Sequence, residues 1–271
     1  MSRRSFKDAT VVVSGAGGGL GRAIAERFAR GGANLVLLDL SREAVEATAA
    51  AMARCGGGSL ALTCDVTDLA SCGMAIGSAV EKFGRVDVLV NNAGISHRSP
   101  FAATDLAVIR RVMEVNFFGA MNLTHAALPH LLTSRGAIAA ISSVAGFTPL
   151  IARTGYAASK HAMHGFFESL RTEVRPQGVD VTMVCPSFIA TGIDRNALGA
   201  DGQPARHAQV VIGRRMTADF VADRIHAGVA RRKPLLLIGS TARQAWWVSR
   251  FAPSLFERLM ARRLQGEMQQ D

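Results

Sequence analysis

Aromatic residues make up only 6% of the 271 residues, with two Trp and a single Tyr, and charged residues only 19%. Together with 27 Gly and 49% hydrophobic residues, this excludes a coiled coil or a low-complexity chain and fits an Ala/Gly-rich soluble α/β protein. A core that buries roughly 70–75% of the unfolded surface is within reach, so disorder is not expected. Long apolar runs are missing too. Val115–Ser134 and Gly136–Ala152 lack Asp, Glu, Lys and Arg, but a spanning helix needs about 20 mostly apolar residues. Asn116, Asn122, His125, Pro129 and His130 break the first stretch, and Ser142, Ser143, Gly146 and Pro149 the second. No transmembrane helix is predicted.

Cysteine is scarce: Cys55, Cys64, Cys72 and Cys185 show no C-x-x-C spacing, so reduced thiols are expected and a zinc site is not. The basic start, Met1 to Lys7, runs straight into Asp8 and a short strand, without the apolar core of a secretory signal. The expected setting is the cytoplasm, with the mature protein beginning here. Charge of one sign is in surplus: the formal net charge is +10, and from Arg206 to Asp271 twelve Lys/Arg stand against five Asp/Glu. Such a surplus attracts anionic surfaces or ligands. It comes without a recognised nucleic-acid-binding motif, so no nucleic-acid partner is expected.

Short, nearly continuous apolar runs at Thr10–Ser14, Asn34–Asp39, Ser59–Cys64, Val86–Asn91, Gly136–Ser142, Val179–Cys185 and Pro234–Ile238 read as strands covered on both faces. Helical spacing separates them at Leu20–Arg30, Arg42–Arg54, Leu69–Phe83, Leu106–Leu132 and Tyr156–Arg175. The alternation predicts an α/β fold, a Rossmann-type doubly wound parallel sheet, with residues 1–271 as one domain. Residues 192–217, with Gly199, Gly202, Pro204 and Gly213, read as a long loop or broken helices over a site.

Three patterns carry chemistry. The first strand is followed by Ser14-Gly15-Ala16-Gly17-Gly18-Gly19-Leu20-Gly21, where glycines let the backbone approach a pyrophosphate at a helix N-terminus. A Gly-rich turn can equally be structural, and its place between first strand and first helix favours the functional reading. Asp39 ends the second strand about 20 residues on, where a carboxylate accepts from ribose hydroxyls and repels a 2′-phosphate; the plain alternative is a cap for the helix near Ser41. NAD(H) is therefore expected, while nearby Arg42 leaves room for NADP. Tyr156 and Lys160, at i and i+4, share one helix face. An ammonium beside a phenol favours the phenolate and brings it nearer an acid/base range, although a Tyr-x-x-x-Lys pair is also an ordinary helix contact.

With Ser14-Gly15-x-x-x-Gly19-x-Gly21, Asn91-Asn92-Ala93-Gly94, Asn116, Ser143 and Tyr156-x-x-x-Lys160 in this order, the chain resembles the classical short-chain dehydrogenase/reductase family over nearly its whole length. The resemblance implies an NAD(P)-dependent oxidoreductase that interconverts a secondary alcohol and a ketone. It implies Tyr156 as acid/base, Lys160 lowering its pKa and binding the nicotinamide ribose, Ser143 orienting the substrate oxygen, and Asn116 helping to hold a relay water. Asp65 and Val66 match the adenine side, Asn92, Ala93 and Gly94 the cofactor-side loop, Gly15, Gly19, Leu20 and Gly21 the phosphate turn, and Ile189 and Thr191 the amide-contacting region. Ser143, rather than Ser142, stands 13 residues before Tyr156, as the family pattern requires. Two residues depart from that pattern: Ser14 replaces a Thr and keeps its hydroxyl, and Ser187 replaces a Gly after Pro186. No metal is implied, and His97, His125, His161 and His164 are assigned to surface or packing. The family also implies a homo-oligomer. A catalytically silent nucleotide-sensing or interaction protein on the same fold is the alternative, and the intact Ser143, Tyr156 and Lys160 set argues against it.

The tail carries a separate pattern. Ser254-Leu255-Phe256-Glu257 reads as a capping box, followed by one broad face of Leu255, Phe256, Leu259, Met260 and Leu264, with Arg263 intruding. Residues 241–271 thus form a basic amphipathic segment. Packing on the body or another subunit is the reading preferred, ahead of peripheral contact with an anionic membrane and of a substrate lid. Residues 196–202 and this tail resemble the membrane-associated hydroxysteroid-type reductases, which implies a hydrophobic small-molecule alcohol or ketone.

Overall fold

The structure is a computed structural model that describes residues 3–53, 55, 57–194, 196–205, 210–211, 213–264 and 266. Seven strands form one sheet in the order β3-β2-β1-β4-β5-β6-β7, and every pairing is parallel. They are β1 Thr10–Ser14, β2 Asn34–Asp39, β3 Ser59–Thr63, β4 Val88–Asn91, β5 Ala137–Ile141, β6 Asp180–Pro186 and β7 Leu235–Ile238. All seven were expected. β1 and β2 keep the expected bounds, and the others differ by one or two residues at an end.

Alternation along the strands builds the two faces. Val11 and Val13 of β1 pack with Ile24 and Phe28 of helix α1 (Gly19–Ala29) and Ile225 of α7 (Ala218–Ala230). Val12 points the other way, into a cluster with Ile76 of α3 (Leu69–Phe83), Leu123 of α5 (Gly119–Ser134) and Phe167 of α6 (Thr154–Val174). Both layers bury apolar area, which is why these strands read as continuous apolar runs. The remaining early helices are α2 (Arg42–Met52) and α4 (Leu106–Met113).

Several expectations need correcting. The predicted single helix 106–132 is three pieces: α4, a π-helical turn over Glu114–Phe118 with its wider i→i+5 spacing, and α5, which carries Pro129 inside it. Helix α6 starts at Thr154, two residues before the expected Tyr156, and the predicted helix end at Arg54 lies outside the described residues. Helix α7 was not anticipated, although Val221, Ala222, Ile225 and Val229 fall on one buried face and the Thr217 hydroxyl accepts from Phe220 N–H. In the 192–217 stretch, residues 195, 206–209 and 212 lie outside the described set. The rest holds a short 3-10 turn at Gly192–Asp194 and single bridges from Leu198 to His97 and Pro204.

The tail is two helices, α8 (Ser240–Phe251) and α9 (Pro253–Leu264); residues 265 and 267–271 lie outside the described set. Pro253 takes the first helical position, so Ser254 falls within the first turn and is not the cap that the capping-box pattern predicts. The predicted broad apolar face is divided: Phe256 and Leu264 are buried, while Leu255 and Leu259 are exposed. No described helix is long and apolar enough to cross a membrane. Removing residues 254–271 strips Phe256 and Leu264 from the body, each worth about 1.5–3 kcal/mol of burial. The truncated chain is expected to unfold at a lower temperature than the full chain in a circular-dichroism melt; an unchanged midpoint would show that α9 is not packed.

Candidate functional site

The site sits where the strand order reverses, between β1 and β4, the place at which open parallel sheets leave a crevice beyond their carboxyl ends. Ser14 closes the junction. Its hydroxyl accepts from Asn92 N–H (3.0 Å) and Ala93 N–H (3.1 Å) and donates to Val90 O (3.3 Å). The Asn92 amide donates to the Ser14 and Gly15 carbonyls (2.9 and 3.1 Å). Gly15 has φ +64°, and a Cβ there would stand 2.9 Å from Ala93 Cα; a Cβ on Gly21 would stand 2.0 Å from Gly15 O. Neither position can hold a side chain. Helix α1 then starts at Gly19 with no side-chain cap and no acid in its first turn. Its first N–H groups and partial positive charge therefore face the cavity that Gly18, Gly19, Leu20 and Gly21 line.

Asp39, at the end of β2, lines the same cavity. One carboxylate oxygen accepts from Gly17 N–H (2.8 Å) and the other from Ser41 N–H (3.0 Å), so the group is fixed to the glycine turn and to the start of α2. Ser41 itself caps α2, accepting from Ala44 N–H. Arg42 turns outward to Glu46 (2.8 Å), which raises its pKa.

On the other side, β5 delivers Ser142 and Ser143 to the cavity and α6 delivers Tyr156 and Lys160. The Ser143 hydroxyl accepts from Ala145 N–H (3.2 Å) in a short 3-10 turn, and the buried Ser142 hydroxyl points to Lys160 O (3.4 Å). Lys160 Nζ donates to Ile141 O (2.8 Å) and lies 5.8 Å from the centre of the Tyr156 ring. Burial pushes the ammonium down to about 8 from 10.5. The start of α6 is fixed by His97, whose Nε2 accepts from Gly155 N–H (2.9 Å). Burial first, and then the charge of Arg153, push His97 down to about 4, so at neutral pH it remains an acceptor.

Asn116, in the π turn, uses its whole side chain. Oδ1 accepts from Ile95 N–H (2.8 Å), and Nδ2 donates to Ile95 O and to Ser159 Oγ (both 2.9 Å). It does not line the cavity but fixes the loop after β4 to α6. Gly94 is small for this reason: a Cβ would stand 3.0 Å from Asn116 Oδ1 and 3.7 Å from Lys160 Nζ.

The cavity measures 730 Å³ and brings together Gly15, Gly19, Leu20, Gly21, Asp39, Asn92, Ala93, Gly94, Ser143, Tyr156, Lys160, Ile189 and Thr191. Asp65 and Val66 are not on its walls: Asp65 is exposed, with Oδ1 accepting from the Thr67 N–H and hydroxyl, and Val66 is buried beside Gly119. The outer wall includes Leu150, Phe188, Val248, Phe256, Leu259 and Met260; for its tail residues the sequence offered a substrate lid only as the least preferred reading, and Leu150, Phe188 and Val248 were missed. The apolar stripe on α8–α9 was the available signal. His164, assigned to surface or packing, is buried, with its Nδ1 3.0 Å from Glu168 and its Nε2 3.4 Å from Cys185 Sγ. Burial pushes the Cys185 thiol up to about 12, so this trio lacks a reactive thiolate.

Comparisons with known proteins agree with this fold. A family profile described as short chain dehydrogenase matches residues 9–201. Dehydrogenase/reductase SDR family member 7B of Bos taurus is 40% identical, over 98% of this chain and 84% of its own length. Dehydrogenase/reductase SDR family protein 7-like of Anopheles gambiae is 33% identical, over 96% of this chain and 84% of its own length. A solved short chain dehydrogenase/reductase from Burkholderia phymatum, in complex with NAD, superposes with a TM-score of 0.84 and 27% identity, covering 93% of this chain and 96% of that one.

The buried Lys160 gives a test by pH. Its folded pKa lies below its unfolded value, so between about pH 8 and about pH 10.5 the unfolded chain binds more protons and stability rises with pH. In urea titrations of the ligand-free protein, Lys160→Met is expected to remove that rise. An identical slope in wild type and variant would refute the buried ammonium.

Proposed function

The chain belongs to the short-chain dehydrogenase/reductase family, and from that premise we propose that it interconverts a secondary alcohol and a ketone, with NAD(H) as redox partner and Tyr156 as acid/base. The observation that carries this reading is the Lys160 ammonium, buried at the cavity floor between Ile141 O and the Tyr156 ring and facing an uncapped glycine turn. The residues fit a dinucleotide: Gly15 and Gly21 leave backbone where a Cβ would collide, the bare N-terminus of α1 suits a pyrophosphate, and Asp39 stands at the far end to accept from ribose hydroxyls. When bound, nicotinamide supplies or takes the hydride at the carbonyl carbon.

The chain's own part is proton handling and orientation. In the reductive direction the Tyr156 hydroxyl gives its proton to the carbonyl oxygen, and the charge of Lys160 stabilises the phenolate that remains. Lys160 can also donate to the nicotinamide ribose, and the Ser143 hydroxyl orients the substrate oxygen. Because the Asn116 side chain is fully engaged, it acts by positioning, and a relay water falls to its main chain. Ile189 and Thr191 border the nicotinamide end, and Asp65 and Val66 remain assigned to the adenine side by resemblance. Asp39 repels a 2′-phosphate and Arg42 is turned toward Glu46, so NAD(H) is preferred over NADP(H).

Apolar walls from Phe188, Val248, Phe256 and Met260 suit a hydrophobic substrate. Peripheral contact with an anionic membrane is a second reading. It is favoured by Trp247 (60% exposed) stacked on Phe251 (78% exposed) at 5.6 Å, beside Arg243 and Arg250 on the same helix. Four free cysteines support a cytoplasmic setting, and family membership supports a homo-oligomer.

Tyr156→Phe is expected to lower kcat by about 10²–10⁴-fold, the usual share of general acid–base catalysis, while NADH binding followed by fluorescence stays close to wild type. Wild-type turnover in that variant would remove Tyr156 from the chemistry. Asp39 is tested by comparing kcat/KM for the two cofactors: NADH should exceed NADPH, and Asp39→Ala should narrow the gap. A native preference for NADPH would reverse the assignment.

A further inference from the structure

Half of the twelve Lys/Arg in the last quarter of the chain are gathered in one place. An open groove of 940 Å³ runs along the outer edge of the sheet, where β7 pairs only with β6 among the described residues, between α7 and the start of α8. Arg214, Arg215, Arg224, Arg231, Lys233 and Arg243 line it, and no Asp or Glu does among the described residues. Protein surfaces ordinarily interleave the two signs. Cations on an edge strand can serve merely to discourage strand pairing, but that use does not call for six of them around a concavity.

Two further features point the same way. Helix α8 starts after Gly239 with no side-chain cap and no acid in its first turn, and the groove is lined by Ser240 and Thr241 at that N-terminus. Its free N–H groups and its dipole add to the positive potential. Arg224 is held over the Phe220 ring at 5.1 Å, so one guanidinium is already fixed at low entropy cost. We propose that this groove is a binding site for a compact polyanion, a small molecule carrying several phosphate or carboxylate groups.

The shape selects that occupant. A volume of 940 Å³ is in the range of small-ligand clefts, whereas a membrane needs a convex or flat face. A second copy docked edge to edge would set six cations against six. The site is separate from the cofactor cavity but shares a wall with it: Ser187 and Thr241 line both, and Gly239 is small because a Cβ would stand 2.6 Å from Ser187 Oγ. The departure at Ser187 therefore lies between the two sites.

The test is calorimetric titration of the full chain with tripolyphosphate, with and without saturating NADH, at about 50 and about 200 mM salt. Expected is a binding component that NADH does not displace, that salt weakens, and that Arg231→Gln with Lys233→Gln weakens by about tenfold or more, as the loss of charge-assisted hydrogen bonds implies. The same double variant should keep the wild-type melting temperature and basal turnover, since neither residue touches the catalytic cavity. Arg243→Gln provides an independent second reading. Absence of that component, or indifference to both variants, overturns the site. Tighter binding to phosphatidylglycerol vesicles, to a poly-glutamate peptide or to single-stranded DNA overturns the compact ligand and assigns the groove to an extended partner.

Discussion

The hydroxyl of Ser14 is the point on which the site depends. β1 and β4 are neighbours, but the chain leaves them in opposite directions, and the crevice between the departing segments would gape without a tie. One oxygen accepting from Asn92 and Ala93 and donating to Val90 fixes the glycine turn against the loop after β4. The tie spreads from there. Gly94 follows on that loop, Ile95 meets Asn116, Asn116 meets Ser159, and Ser159 Oγ donates to Tyr156 O (2.8 Å). The phosphate-turn side and the tyrosine side are thus one hydrogen-bonded frame.

That frame sustains an unfavourable placement. An ammonium with little access to water loses hydration, and the lowered pKa of Lys160 records the cost. A backbone carbonyl and an aromatic face partly compensate, as does the thioether of Met163 at 3.5 Å. The two core layers around the sheet stabilise the fold enough to keep the charge in place, in the way that functional sites draw on stability supplied elsewhere.

Most of the sheet was legible because buried parallel strands leave a strong mark, as in Val11 to Val13 or Asn34–Asp39. Helix α3 was legible to the residue, with Asp68 accepting from Ala70 and Ser71 N–H at its start. The π turn was not, because one extra residue in a helical turn barely disturbs the apolar spacing between Val112 and Ala120, yet it decides where Asn116 points. Tyr156 and Lys160 showed in their i, i+4 spacing, whereas His97 could be recognised as the acceptor for Gly155 only in three dimensions. The tail misled for a local reason: Pro253 has no N–H that needs an acceptor, suits the first helical position, and so moves Ser254 off the cap.

The part of the outer wall that α9 supplies is made after the rest of the cavity. Ribosomes deliver a protein from its N-terminus, and the glycine turn, Asp39, Ser143 and Tyr156 all emerge well before Phe256, Leu259 and Met260. A nascent chain can assemble the sheet and the hydrogen-bonded frame while the cavity still lies open on one side. Enclosure comes only when α9 folds back, so the site is closed after the residues that carry its chemistry are already in place.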